Sequence, residues 1–263
     1  MIIDLSARDS DCHAGGHRLR VRTFGQWSAD TAVLVFLHEG LGSITQWRDF
    51  PLALCEATGL PALVYDRYGY GQSEPLNEPR PDDFLIQEAH TLADLLMQFK
   101  IGKPIIVGHS DGGTIALMVA ALYPDRIKAV VTEAAHVMFE PVTRQGLSAV
   151  YARFQTDQHL QEGLARHHGA NTHEMVTQWA QTWLRPTLAD WSMHDMLPAI
   201  TSPLLALQGA DDDHGSAQQL RDIGAGVSGP VDCVMIETCG HVPHFQARER
   251  VIAEISRFLS TML

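Results

Sequence analysis

The segment from Ile105 to Leu117 constrains the fold of this chain more than any other. It contains a short apolar run, a Gly-x-Ser-x-Gly turn from Gly108 to Gly112, and a run of small and apolar residues. A serine lifted from a sheet on such a tight turn leaves no room for side chains two residues away, which explains both glycines. The segment therefore predicts a buried strand, a strained turn that presents Ser110, and a helix. A glycine-rich turn without chemistry is the alternative interpretation.

Short apolar runs recur along the chain and alternate with segments of helical period. Most runs are continuous rather than alternating, which is typical of strands covered on both faces of a parallel sheet. Strands that alternate with helices indicate repeated βαβ units. We therefore predict an α/β fold with a mostly parallel central sheet and helices on both faces. The runs are Ala32 to Leu37, Ala62 to Tyr65, Ile105 to Val107, Ala129 to Val131, Leu204 to Leu207 and Val231 to Ile236.

The stretch 136–198 interrupts this alternation, because it is polar, rich in Gln, His and Trp, and has no pattern of a buried strand. We predict an inserted helical cap at 136–198 and an α/β core built from 1–135 and 199–263. The cap has no linker of its own, so we expect it to fold onto the core. Its apolar side chains either line a substrate pocket or, as we favour, form its own core. They are Trp179, Trp183, Trp191, Met175, Met193 and Met196.

Charge and composition argue against several classes of function. The net charge is −12 and no Lys/Arg-rich run occurs, so nucleic acid would meet a repulsive surface. The first residues lack the pattern of a signal peptide, and no stretch reaches the ~18 apolar residues of a membrane span. The four cysteines are scattered without a CxxC pair. We therefore expect a cytoplasmic protein with neither nucleic acid nor membrane as a partner.

The 14 histidines invite a metal-binding interpretation, above all the group His167, His168 and His173. No HExxH motif occurs, and no carboxylate completes a ligand set at a familiar spacing. We predict no metal site and no cofactor.

A serine hydroxyl needs a base within hydrogen-bond reach, and that base needs an acid to fix its tautomer. Three carboxylates, Asp211 to Asp213, follow one predicted strand, and His241 follows the next, framed by Gly240 and Pro243. The order Ser, Asp, His is the one that α/β sheets of this type use. The alternatives are His244 as the base and Glu133 as the acid.

Further motifs make the chain resemble the α/β-hydrolase superfamily over nearly its whole length outside the cap. His38 to Trp47 is similar to the oxyanion loop of that family, Tyr65 to Ser73 to its YDRxGxGxS segment, and Tyr123 to Ile127 to its YPxRV turn. The elbow around Ser110 resembles the valacyclovir hydrolase (biphenyl hydrolase-like) branch. The resemblance implies an α/β-hydrolase fold and a serine esterase with a catalytic triad.

The resemblance also implies roles for single residues. Asp212 becomes the preferred acid, because it stands three residues after the glycine that ends the preceding strand. The oxyanion hole is expected at the N–H groups of Gly40 and Asp111. His38 is expected to hydrogen-bond the loop backbone rather than to act as a second base.

Two positions depart from the commonest pattern of the family. Glu39 stands where glycine is usual, and Asp111 stands where an apolar residue is frequent. These carboxylates either recognise the ammonium group of an amino-acid ester or serve the fold. In the second case Asp111 caps its helix and Glu39 pairs with a cation such as Arg67. We assign substrate binding to Glu39, His109, His136 and Trp191.

The predicted reaction is two-step acyl transfer from a small-molecule carboxylic ester, with Ser110 as nucleophile, His241 as base and Asp212 as orienting acid. Hydrolysis of a C–C bond, a lactone or an amino-acid ester would use the same residues. A small-molecule receptor on the same fold is the non-enzymatic alternative. We expect a monomer or a homodimer.

Overall fold

The computed structural model describes residues 5–262, and within this range eight strands form one sheet. The sheet order is β1-β2-β4-β3-β5-β6-β7-β8. The first two strands pair antiparallel with each other, β2 pairs antiparallel with β4, and the remaining pairs are parallel. The strands are β1 (Ala7–Ala14), β2 (His17–Phe24), β3 (Ala32–Leu37), β4 (Ala62–Tyr65), β5 (Lys103–His109), β6 (Ala129–Glu133), β7 (Leu204–Gly209) and β8 (Val231–Ile236).

Helices cover both faces of this sheet, as predicted. They are α1 (Phe50–Thr58), α2 (Phe84–Gln98), α3 (Asp111–Leu122), α4 (Pro141–Thr156), α5 (Gln158–His168), α6 (Thr172–Trp183), α7 (Ala217–Gly226), α8 (Pro243–Gln246) and α9 (Arg248–Ser260). Side chains of β3 alternate between two buried clusters, because successive residues of a strand point to opposite faces. Val33 and Val35 join the cluster with α2 and α3, whereas Leu34 and Phe36 join the cluster with α1 and α9.

The stretch predicted as a cap is helical. It carries α4, α5 and α6 between β6 and β7, together with short 3₁₀ turns. Most of its predicted apolar residues are buried in clusters, Trp179 and Trp183 with the sheet and Met175 with α4 and α5. The division into a core and a cap at 136–198 stays a prediction. Among the described residues, no helix is long and apolar enough to cross a membrane.

The turn between β5 and α3 has the strained geometry that its sequence predicts. Ser110 has φ 52° and ψ −118°, a conformation that L-residues seldom adopt. A Cβ atom on Gly112 would collide with the carbonyl oxygen of Leu37, and one on Gly108 would collide with the backbone of Gly112. The backbone N–H of Ser110 donates to the carbonyl of Glu133 at 2.8 Å, which ties the turn to β6. The strand, turn and helix therefore present the serine at the carboxyl end of the sheet.

Candidate active site

Three side chains from three separate loops meet at the carboxyl end of the sheet. Ser110 lies on the turn after β5, Asp212 follows β7, and His241 follows β8. The Oγ of Ser110 lies 3.0 Å from Nε2 of His241, and Nδ1 of His241 lies 2.9 and 3.0 Å from the two carboxylate oxygens of Asp212. An ionised carboxylate only accepts hydrogen bonds, so Nδ1 carries the proton. The Nε2 atom is then free to accept the hydroxyl proton of Ser110.

Asp212 is fixed by donors on both carboxylate oxygens. Oδ1 accepts the N–H of His214 at 2.8 Å, and Oδ2 accepts the side-chain amide of Gln208 at 2.7 Å. Burial raises the pKa of Asp212. The hydrogen bond to His241, the charge of His241 and the backbone N–H of His214 act in the opposite direction and outweigh burial, so the pKa of Asp212 is lowered. The carboxylate therefore stays ionised where His241 needs an acceptor.

The neighbouring aspartates lie elsewhere. Asp213 is exposed and pairs with Nδ1 of His214 at 2.7 Å, and Asp211 is exposed. Within residues 5–262, neither has a hydrogen bond to His241.

The two alternative residues bind each other. The Oε2 atom of Glu133 accepts the backbone N–H of His244 at 2.8 Å and contacts its Nδ1 at 3.0 Å. Both side chains are buried, and the ring of His244 packs against Trp47 and Phe50. The pair therefore joins α8 to the end of β6.

A cavity of about 230 Å³ opens above Ser110. Its lining includes Glu39 and His136, and also Gly40 and Asp111 together with Ser110. Within the part of the chain that the structure describes, the N–H groups of Gly40 and Asp111 have no acceptor. Both are thus available to an oxyanion. The apolar lining residues are Leu41, Phe139, Leu147, Val150, Leu164, Trp179 and Trp183.

Of the four residues assigned to substrate binding, Glu39 and His136 line this cavity, whereas His109 and Trp191 do not. Trp191 packs edge-on against Trp183, with ring centroids 5.4 Å apart. His109 is buried and its Nε2 lies 2.6 Å from the carbonyl oxygen of His241. His136 does line the cavity; its Nε2 contacts the carbonyl of His214 at 3.0 Å, and burial lowers its pKa.

The two unusual carboxylates each have a partner inside the protein. Asp111 accepts the indole N–H of Trp183 at 3.2 Å and lies 3.8 Å from the guanidinium of Arg67, which is fully buried. The Glu39 carboxylate lies 3.5 Å from Nδ1 of His109. Within the described residues, the guanidinium of Arg67 donates to the backbone carbonyl of Glu39 at 2.9 Å and makes no contact with the Glu39 carboxylate. The carboxylate of Glu39 therefore faces a histidine, not the arginine that the sequence suggested.

His38 hydrogen-bonds the loop backbone. Its Nε2 accepts the N–H of Arg67 at 3.0 Å, so its Nδ1 donates to the carbonyl of Glu39 at 2.8 Å. Burial lowers the pKa of His38 well below its usual value, and the nearby charge of Arg67 lowers it further.

One group of side chains in the described residues has the spacing of a metal site. Donor atoms of Asp212, His214 and His241 lie within 4.8 Å of one another. An ion at this position would compete with the hydrogen bonds between Asp212 and His241.

Comparison with known proteins identifies the family of this chain. A profile of the alpha/beta hydrolase family matches residues 34–254. The chain belongs to the alpha/beta hydrolase family. The predictions of the fold and of an enzyme of this fold are therefore confirmed at the level of the family.

Curated relatives of this alpha/beta hydrolase match it over part of their length. It is 33% identical to the human serine hydrolase BPHL over 106 residues, which are 34% of this chain and 36% of BPHL. It is 32% identical to the sn-1-specific diacylglycerol lipase ABHD11 of Danio rerio over 102 residues, 39% of this chain and 31% of the relative. The chain thus spans about a third of the length of these relatives.

The likeness to solved structures extends over nearly the whole chain. MGS-M2, an alpha/beta hydrolase enzyme from a Medee basin deep-sea metagenome library, superposes with a TM-score of 0.77 at 18% identity. The superposition covers 95% of this chain and 97% of MGS-M2. At this identity the likeness shows the fold alone.

Sequence reasoning did not assign Arg67 or Trp183 to the surroundings of Asp111. Arg67 lies in the YDRxGxGxS segment, which was a signal that its side chain has a fixed place. The contact from Trp183 spans 72 residues. It has no local sequence signal, because Trp183 lies at the end of α6, far from Asp111 along the chain.

Proposed function

We propose that this chain is a serine hydrolase that cleaves a small-molecule carboxylic ester through an acyl-enzyme. The observation that carries the proposal is the hydrogen-bonded row of Ser110, His241 and Asp212 at the floor of an apolar cavity. A serine paired with a base and an oriented acid is the arrangement that activates a hydroxyl for attack on a carbonyl.

The mechanism uses only groups of the chain and a water molecule. As Oγ of Ser110 attacks the ester carbonyl, Nε2 of His241 takes its proton, and the N–H groups of Gly40 and Asp111 donate to the oxyanion. The C–O bond to the alcohol then breaks, and the alcohol leaves with the proton from His241. A water molecule then gives a proton to Nε2 of His241 and attacks the acyl carbonyl; the bond from the carbonyl carbon to Oγ breaks, Oγ takes the proton from His241, and the acid is released.

The cavity favours a small neutral substrate. Its volume of about 230 Å³ lies below the range of roughly 300–1,000 Å³ that is typical of drug-sized ligands. Oδ1 of Asp111 accepts from Trp183, Oδ2 has no hydrogen-bond partner but lies 3.8 Å from the guanidinium of Arg67, and the carboxylate of Glu39 lies 3.5 Å from His109. An ammonium group would enter a mostly apolar space in which the carboxylates already face Arg67 and His109. The cytoplasmic location and the monomeric or homodimeric state stay predictions.

A matched pair of esters tests the substrate class. Phenyl isobutyrate and alanine phenyl ester have nearly the same shape and differ by a methyl group against an ammonium group. We expect kcat/KM to be at least about tenfold higher for the neutral ester, because desolvation of the ammonium is unfavourable. A preference for the amino ester, with a KM that Asp111→Asn raises for that ester alone, would establish ammonium recognition instead. A lactone and a vinylogous diketone in the same assays test the other bond types.

The pH dependence of the reaction follows from the environment of His241. Burial lowers the pKa of His241 to about 4, although the hydrogen bond and charge of Asp212 act in the opposite direction. The base is active when neutral, so activity is present above this pKa and is lost as the pH falls through it. We expect kcat/KM for a neutral ester to be flat from about pH 5 to 7 and to fall about tenfold per unit below about pH 4. Initial rates, with enzyme pre-incubated at each pH to check its integrity, measure this; an acid limb centred at about pH 6.5 would contradict it.

A further inference from the structure

A further pair of a carboxylate and a histidine, Glu39 and His109, lies next to Ser110 and His241. His109 ends β5 and directly precedes Ser110, and Glu39 directly precedes Gly40 in the loop after β3. Strands β3 and β5 pair in parallel, so their ends place Glu39 beside His109. The pair is therefore attached by the chain to the nucleophile and to one oxyanion donor.

One nitrogen of His109 holds the backbone of the catalytic base. Its Nε2 lies 2.6 Å from the carbonyl oxygen of His241. A carbonyl oxygen only accepts, so Nε2 carries a proton and donates it.

The other nitrogen faces the carboxylate of Glu39. The distance from Nδ1 to Oε2 is 3.5 Å, and the side chain of His109 is 1% exposed. A carboxylate also only accepts hydrogen bonds. An unprotonated Nδ1 would place its lone pair against the negative charge of Glu39. His109 Nδ1 makes no hydrogen bond in the described structure and lies at ion-pair distance from Glu39, and a ring protonated on both nitrogens would satisfy the acceptor on each side. Burial lowers the pKa of His109, but its pairing with Glu39 and the charges of Glu39 and Glu133 outweigh burial and raise it.

The other titratable groups around His109 do not serve as an acceptor for its Nδ1 in place of Glu39. The ring of His244 is 4.9 Å away between centroids, and its Nδ1 is engaged by Glu133. The ring of His241 is 5.2 Å away. A lone cation at His109 would oppose the transfer of a proton to His241, whereas the pair with Glu39 is neutral overall.

On the basis of the proposed serine-hydrolase mechanism, we infer that Glu39 and His109 are positioning residues for His241. Glu39 keeps His109 protonated on both nitrogens, and the Nε2–H of His109 fixes the carbonyl of His241 so that its ring faces Ser110. For His109 we propose this positioning role in place of the substrate binding that the sequence predicted.

Nitrogen NMR of protein labelled with ¹⁵N-histidine tests the protonation directly. The signals of His109 are those lost in His109→Gln. At about pH 7 we expect both nitrogens of His109 to be protonated in the wild type and only Nε2 in Glu39→Gln. Glu237→Gln, which removes an exposed carboxylate from the loop of His241, controls for the change in net charge. A neutral His109 in the wild type overturns the inference, and this result needs no substrate, so it is independent of the proposed function.

Kinetics test the positioning. The side-chain amide of His109→Gln can donate to the carbonyl of His241 as Nε2 does, whereas His109→Ala cannot. We expect His109→Ala to lower kcat about 100-fold with KM within about threefold, and His109→Gln to recover most of kcat. Thermal unfolding and circular dichroism identify any variant that fails to fold. Equal losses of kcat in the folded alanine and glutamine variants would overturn the inference.

Discussion

Ser110→Ala is expected to lower kcat for an ester by about 10⁶-fold, to the limit of detection. The change removes the Oγ that lies 3.0 Å from Nε2 of His241 and leaves no nucleophile on the turn. Alanine retains the Cβ of serine, so the strained φ of 52° costs both residues about the same. The variant should therefore fold with nearly unchanged thermal stability. Stopped-flow assays with a chromogenic ester should show a burst in the wild type and none in the variant.

Labelling with a fluorophosphonate provides an independent measurement. We expect covalent labelling of the wild type and no labelling of Ser110→Ala. Ser202→Ala is a matched control, because Ser202 is also buried and its Oγ has no hydrogen-bond partner in the described structure. A wild-type protein that shows neither burst nor label, yet binds an ester or lactone, would support the small-molecule receptor.

Asp212→Asn is expected to lower kcat by about 10⁴-fold, because the asparagine amide no longer holds His241 in the required tautomer. Each carboxylate oxygen of Asp212 accepts donors, from His214 and His241 on Oδ1 and from Gln208 and His241 on Oδ2. An amide group in either orientation turns an NH₂ toward a donor. We therefore also expect a loss of about 1–3 kcal/mol in the free energy of unfolding. Steady-state kinetics and chemical denaturation measure the two effects.

The adjacent aspartates provide the controls for this variant. Asp211→Asn and Asp213→Asn make the same chemical change on exposed side chains without a hydrogen bond to His241. Both should keep kcat within about twofold, since surface substitutions away from a site have small effects. A large loss in either of them, with Asp212→Asn active, would assign the acid to a different residue.

Most of the sheet was predictable from sequence, because buried parallel strands are continuous apolar runs. The six predicted runs correspond to β3 through β8. The hairpin of β1 and β2 was missed for two reasons. Strand β2 alternates apolar and polar residues and has no continuous apolar run, and β1 lies at the edge of the sheet and is largely exposed, with polar residues at most positions. A polar edge strand has no apolar pattern to detect.

The site was predictable to different degrees at its different residues. Ser110 was identified by local sterics, since both glycines next to it are required by backbone contacts. His241 followed from its place after a strand. The choice of Asp212 depended on family resemblance, because consecutive loop residues point in different directions and their order along the chain does not reveal which one faces His241.

The sequence by itself determined the α/β fold, the strained turn at Ser110 and the edge of the sheet at which the site lies. These depend on interactions between near neighbours in the chain, and such interactions leave a pattern in the sequence. Only the tertiary structure decided that Glu133 pairs with His244, that Glu39 pairs with His109, and that Trp183 and Arg67 engage Asp111. Each of these contacts joins residues far apart in the chain, and the burial that makes them strong exists only after the chain has folded.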